Sequence, residues 1–422
     1  MDQYNHPFTS TLREEELRDE LARLRSTASF QFGFHFVQAF QQPWRILLLP
    51  FTTPMLIYRL LKAPKHTNKT RQVEFRDCVM VFSSDSPRGL HVDRGEALLA
   101  SMGGATTQRI HVSTDSRLLE SINEETVRYT IPSRKQSPGM SPKIWNKQCE
   151  TILNCLIDVY APKTFVFDGD FPFRGLLNVI QLRDGMNRYW VRESPNNHKI
   201  SQLPLDGFET FDAVIHPSLT KANDPDTNVG RSGSVFCNPI VGPRPHGEGR
   251  DNRRKKLAPP TSTLVFFDLG SANTHAESIS NILLADDSVR LLIRPGTNHR
   301  KLIEHPQTVL AHGMTYIESI GCADVAVLEP DQYSMHAALC TQTPALSVLD
   351  EPSTKAAVSE HAFQDGLPIM HLDDGMDDGL VETAVHRLLD SGVQQQLREQ
   401  IKALNLNYDQ TPLVNFLMDL HN

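Results

Sequence analysis

The sequence predicts an α/β protein made of two doubly wound, Rossmann-like halves that face a cleft, preceded by a helical extension. Three observations predict it. From about residue 76, short apolar runs alternate with amphipathic stretches, the pattern of strands and crossover helices in a parallel sheet. The same alternation begins again after residue 260. Between them lies GPRPHGEGRDNRRKKLAPP, 242–260, rich in Pro, Gly and cations and without apolar periodicity, which reads as an exposed linker. A length of 422 residues suits two domains and an extension. The expected division is 1–70 for the extension, 71–241 for the first half, 242–260 for the linker and 261–422 for the second half.

Within the extension, residues 11–27 are dense in charge and carry Leu17, Leu21 and Leu24 at the spacing of a coiled-coil seam. Such a short helix either self-associates, giving a homo-oligomer, or leans on the protein's own surface. Residues 30–69 then set aromatics and leucines between Arg45, Arg59, Lys62, Lys65 and Lys69, with breaks at Pro43, Pro50 and Pro54. A spanning helix needs ~20 predominantly apolar residues. The segment is therefore expected to lie on a membrane surface, with Trp44 and Tyr58 at headgroup level; the alternative is a helical clamp on the globular body.

The first half opens with DCVMVFSS (77–84) as a buried strand and VDRGEALLASM (92–102) as its helix. RIHVST (109–114) is the next strand, WNKQCETILNCLIDVY (145–160) an amphipathic helix and TFVFDG (164–169) a further buried strand. YWVRE (189–193) and FDAVIHP (211–217) close the unit. In the second half TLVFFDL (263–269), VRLLIR (289–294), CADVAVL (322–328) and ALSVLD (345–350) read as strands, and VETAVHRLLD and VQQQLREQIKAL as the helices that finish the chain.

Composition narrows the function. With 39% hydrophobic residues, 22% charged residues and a formal net charge of −8, the chain reads as a soluble globular protein, and its acidity argues against a nucleic-acid partner. Cys78, Cys149, Cys155, Cys237, Cys322 and Cys340 lack paired metal spacing and are expected as reduced thiols. MDQYNHPFTS has no basic region leading into an apolar one, so no signal peptide is expected. The expected location is cytoplasmic, peripheral at the inner face of the cell membrane.

The stretch DQYSMHAALCTQTPALSVL (331–349) carries the sharpest functional signal. It reads as loop, helix, turn and strand, which puts Gln332, Tyr333, Ser334 and His336 at a helix N-terminus just past the strand 322–328. Unpaired N–H groups and the helix dipole make such an end a phosphate site, and open α/β sheets bind ligands at such crossovers.

Several blocks resemble bacterial glycosyltransferases of the GT-B fold, in the family 28 branch of the lipid-II-forming N-acetylglucosaminyltransferases. LVFFDLGSAN (264–273) looks like the strand and Gly-rich turn that start that family's donor domain. DVAVLEPDQYSMHAALCTQTPALSVLDEP (324–352) looks like its donor signature, FVFDGDFPFRGLLNVI (165–180) like a segment of its first domain, and RGLHVDRG (88–95) like an altered Gly-x-Gly-His loop. The resemblance implies that Gly270, Ser271 and Asn273 approach a donor pyrophosphate and that Gln332, Tyr333, Ser334 and His336 continue the cradle. It implies that His91 faces the acceptor hydroxyl as general base, with Asp168 the substitute, and that Arg88, Arg94 and Arg174 meet acceptor or phosphate. The sequence departs from the family at Ala337, where a ribose-binding carboxylate is usual, and at Arg88 and Leu90, where glycines are usual. Glu329 and Asp331 are the candidates to supply the missing carboxylate.

The expected activity is transfer of a sugar from a nucleoside diphosphate to a cell-envelope or membrane-linked acceptor, with inversion and with no cofactor or metal. Asp373, Asp374, Asp377 and Asp378 read as turn residues rather than a metal cluster. A non-catalytic scaffolding subunit of envelope-glycan assembly is the alternative that Ala337 favours, and a nucleotide-sugar epimerase a third.

Overall fold

The computed structural model describes residues 75–86, 89–102, 107–120, 125–192, 209–218, 233–242, 247–270, 273–295, 300–349, 366–373, 375–406 and 408–419. The leucine seam at 17–24, the basic apolar segment 30–69, Arg88 and Ser271 lie outside these residues.

The first half is built on β1 (Arg76–Ser83), whose run CVMVFS is buried on both faces, as a central strand of a parallel sheet requires. α1 (Leu90–Ser101) follows through Gly89, which sits at φ 77, where a side chain is strained and where a Cβ would meet Arg117 at 2.9 Å. Then come β2 (Gln108–Ser113), a short 3₁₀ turn (Ser116–Glu120), β3 (Thr126–Thr130), α2 (Pro142–Tyr160), β4 (Pro162–Asp168), α3 (Arg174–Ile180), β5 (Asn187–Val191), β6 (Ala213–Pro217) and β7 (Gly233–Cys237). α2 starts where it does because Ser141 accepts from Ile144 N–H and Pro142 fits the first turn. The seven strands are all parallel in the order β3-β2-β1-β4-β5-β6-β7.

α4 (Gly247–Leu257) joins this half to the second, where β8 (Thr263–Asp268), α5 (Ala276–Leu284), β9 (Val289–Ile293), α6 (Arg300–Ile303), β10 (Thr308–Leu310), α7 (Tyr316–Cys322), β11 (Val325–Leu328), α8 (Gln332–Thr341), β12 (Ala345–Val348) and β13 (Met370–Leu372) alternate. Its six strands run parallel in the order β10-β9-β8-β11-β12-β13. α9 (Asp378–Leu389), α10 (Ser391–Ala403) and α11 (Thr411–Asp419) end the chain. Among the described residues no helix is long and apolar enough to cross a membrane.

Each sheet is covered on both faces. α2 and α3 pack Leu153, Ile157, Leu176 and Ile180 on Met80, Phe82, Phe165 and Phe167 of the first sheet. The opposite face, Val79, Val81 and Val166, meets α1 through Leu98 and Leu99. On the second sheet α5 and α9 cover one face, α7 and α8 the other. Leu90 and Val241 of the first half join that last core, so the two halves share apolar contact.

Two expectations change. The segment read as an irregular linker is helical from Gly247, and its cations are partly anchored: Arg250 Nε donates to the Gly321 carbonyl at 2.6 Å, and Arg254 to Asp324 at 2.8 Å and to the Ser262 carbonyl at 2.5 Å. Arg and Lys are good helix formers, and cations in the last turn suit the dipole. The last helix does not stay with the second half. Leu413 and Leu417 of α11 are buried against Val81, Val166 and Tyr189 of the first sheet, and Thr164 Oγ1 donates to the Leu417 carbonyl at 3.4 Å.

Candidate functional site

Both strand orders reverse at their centres, between β1 and β4 and between β8 and β11. Such switch points open a crevice at the carboxyl ends of the strands. In the first half Ser83 and Asp168 are in register there; in the second, Asp268 and Leu328.

At the first switch point His91 lies in the opening turn of α1, with its N–H on Ser86 Oγ at 3.2 Å. Its Nδ1 is 3.0 Å from Ser84 Oγ and 3.3 Å from the Ser84 carbonyl. The Ser84 hydroxyl and carbonyl both face Nδ1, which orients the ring. One turn on, Arg94 donates to Asp168 from Nε at 3.0 and 3.1 Å and from Nη2 at 2.5 Å, with both side chains buried. This pair bears on two expectations. Asp168, the substitute base, is a carboxylate matched by a bidentate guanidinium, and Arg94, expected at acceptor or phosphate, is paired with it. Separating a desolvated pair leaves an uncompensated charge. Arg174 is exposed at the start of α3.

Behind His91 runs a chain that sequence reasoning missed. Ser83 Oγ donates to the His91 carbonyl at 2.9 Å and lies 2.8 Å from His111 Nε2; His111 Nδ1 is 2.7 Å from Glu96, which also takes Arg128 at 2.7 Å. Burial alone would raise the Glu96 carboxyl, but His111 and Arg128 together bring it down to about 2. The arrangement has the order of a nucleophile, a base and an acid. Ser83 and His111 are wholly buried, however, so the chain braces the first turn of α1. Gly95 makes room for it: a Cβ there would fall 2.5 Å from Ser83 Oγ.

At the second switch point the Gly270 N–H donates to Glu329 Oε1 at 2.7 Å. Asn273 shapes the turn, with its N–H on the Gly270 carbonyl and Oδ1 accepting from His275 N–H at 3.0 Å. Asp331 caps α8: its Oδ1 accepts the Ser334 N–H at 2.8 Å and its Oδ2 the Ser334 hydroxyl at 2.5 Å. Tyr316 joins the cluster through its hydroxyl, 2.7 Å from Ser334 Oγ and 2.9 Å from Asp268 Oδ2. Glu329 and Asp331 are thus spent on backbone N–H groups, which answers where these two candidate carboxylates go. Ala337 is fully buried in the apolar core, so its position has no opening for a ribose.

The two switch points meet. Gln332 Nε2 donates to the Pro217 carbonyl of the first half at 2.6 Å. His336 is pushed down to about 3 by burial and by the nearby Arg94 charge, so it stays neutral. Burial holds the Tyr333 hydroxyl well above its ordinary value. Asp93 of α1 pairs with Arg294 past β9 at 2.8 Å, accepts the Tyr316 N–H at 3.3 Å, and Arg294 stacks on the Tyr316 ring at 5.2 Å. Beside these contacts a cavity of about 360 Å³ opens between α1 and the second half, walled by Val92, Asp93, Val241, Arg294, Met314 and Tyr333. Arg94, Asp168, Tyr333 and His336 therefore gather at one interface, and Tyr333 also borders the cavity.

No family model matches the chain, and no curated protein matches it in sequence. Solved structures do match it in shape. The spinosyn forosaminyltransferase SpnP is 13% identical, with 82% of this chain and 99% of that one covered and a TM-score of 0.51. Os79 from O. sativa is 14% identical over 77% and 94% of the two chains, TM-score 0.53. A UDP-glucosyltransferase from Polygonum tinctorium is 12% identical over 78% and 92%, TM-score 0.50. The fold is GT-B. In GT-B terms the β1/β4 switch point belongs to the first domain and the β8/β11 switch point to the second.

Proposed function

We propose that the protein is a glycosyltransferase that takes a nucleoside diphosphate sugar in its second half and passes the sugar to a membrane-linked or cell-envelope acceptor held by its first half. One observation carries the reading: His91, oriented by Ser84, and the Gly270 turn stand at the switch points of the two sheets of a GT-B fold. The neighbours lend support through their names, a forosaminyltransferase and a UDP-glucosyltransferase. In this reading Nε2 takes the proton of the acceptor hydroxyl while its oxygen attacks the anomeric carbon from the face opposite the diphosphate. The carbon–diphosphate bond breaks, the configuration inverts, and the positive end of the α8 dipole faces the leaving charge. The acceptor is placed by the membrane-facing reading of residues 30–69.

The second reading, a binding subunit without catalysis, is favoured by the Arg94–Asp168 pair, which removes a carboxylate from the neighbourhood of His91. Two measurements decide. Calorimetry with UDP- and GDP-sugars at millimolar concentration is expected to show binding, and none with any donor removes the transferase reading. His91→Ala is expected to lower turnover ~10²–10⁴-fold while leaving donor affinity nearly unchanged. Equal loss of both would make His91 a structural residue.

A further inference from the structure

The donor turn already holds an anion. Glu329 is 6% exposed, and its Oε1 sits on the Gly270 N–H; a Cβ on Gly270 would lie 2.6 Å from that same oxygen, so the two are closely fitted. N–H groups at a strand-to-helix turn are the donors that take a phosphate oxygen, and a carboxylate oxygen is an acceptor of the same kind at the same distance. A short step along the chain, Asp331 takes the Ser334 N–H of α8 in the same manner. Asp268 ends the adjacent strand and accepts from Tyr316. Of the interface arginines, Arg94 is matched by Asp168, and Arg294 pairs with Asp93 and also feels the Asp268 charge. A diphosphate arriving here meets occupied N–H donors, paired cations and the carboxylates of Asp268, Glu329 and Asp331.

We infer that Glu329 sets the selectivity of the donor subsite: its carboxylate stands where a donor phosphate would stand and must leave Gly270 before a diphosphate binds. This rests on the donor-domain reading above. The affinity the protein shows for a nucleoside diphosphate is then what remains after displacing an internal competitor, and the phosphate part of the donor contributes less than its nucleoside part.

The test titrates UDP, GDP, inorganic pyrophosphate and uridine into the full chain, Glu329→Gln and Glu329→Asp by calorimetry. Glutamine retains a side-chain carbonyl for the Gly270 N–H and removes the charge. Diphosphates and pyrophosphate are expected to bind Glu329→Gln about tenfold more tightly or better, with uridine changed less than about twofold. Glu329→Asp, which keeps the charge, is expected to show no such gain. An equal gain for uridine would mean a loosened pocket and overturn the inference. If the wild type binds diphosphates and Glu329→Gln binds them no better, the inference falls and the donor-domain reading stands; if neither protein binds any of them, both fall.

Discussion

Replacing Arg294 with methionine strips the partner from a carboxylate that cannot reach water easily. Asp93 holds Arg294 through two contacts, 2.8 and 3.1 Å, with side-chain exposures of 9% and 14%. Breaking a buried pair from one side costs about 3–5 kcal/mol, and the lost cation–π contact with Tyr316 adds about 1 kcal/mol. Burial already raises the Asp93 carboxyl, and Arg294 pulls it back. In the variant the pull is gone and the carboxyl rises further. A raised folded-state pKa means stability that is present at acid pH and lost as pH climbs through that pKa. The deficit of Arg294→Met is therefore expected to be larger at pH 7.5 than at pH 5. Urea and thermal melts at both pH values measure it, with a midpoint drop on the order of 5–10 °C at pH 7.5. The double variant Asp93→Asn with Arg294→Met is expected to recover more than half, because no charge is left stranded. A loss below about 1 kcal/mol, or one equal at both pH values, would show that Asp93 is hydrated and that the pair does not bind the halves together.

Ala337→Glu is expected to destabilise the protein by about 3 kcal/mol or more without strengthening uridine nucleotide binding, since the new carboxylate would enter a closed apolar core. Urea unfolding and a UDP titration test the two halves of that statement, and tighter binding at unchanged stability would contradict it. His336, neutral down to about pH 3 in the folded chain, gives stability that is complete above pH 6.5 and declines as pH falls from 6.5 toward 3. Relative to His336→Gln, the wild type is expected to lose about 2 kcal/mol between pH 7 and pH 5. Parallel pH slopes for the two proteins would mean that His336 is protonated in the folded state.

Legibility in the sequence followed burial. β1, β4, β8 and β11 are enclosed on both faces, so their unbroken apolar runs announce strands and their order announces the switch points. The sheet margins carry weaker signals. TVRYT of β3 leaves Val127 37% exposed, and β10 and β13 are three residues each, too short to show alternation. α4 was hidden because its composition matches a linker, and part of what holds it, Arg254 on Asp324, is a contact across 70 residues. His336 could be placed from its crossover position, whereas His91, Asp168 and Gly270 were reached only through the family resemblance. Their partners could not, since Arg94–Asp168, Asp93–Arg294 and Gly270–Glu329 join residues whose spacing carries no periodic signal.

The return of α11 to the first sheet reaches beyond the folded state, into synthesis. Leu413 and Leu417 complete a face made of Val81, Val166 and Tyr189, and Phe416 packs on Tyr189 at 5.6 Å between ring centres. A ribosome that has finished β7 still has the whole second half to make before it reaches them. At about 5–20 residues per second that interval lasts on the order of ten seconds or more. For that time the first sheet carries an apolar strip that its own segment cannot yet cover, and a chain released short of Leu413 never covers it. Leu413 and Leu417 thus close a core whose other members are made long before them, and a chain cut ahead of Leu413 leaves that apolar strip open to the chaperones and proteases that recognise such surface.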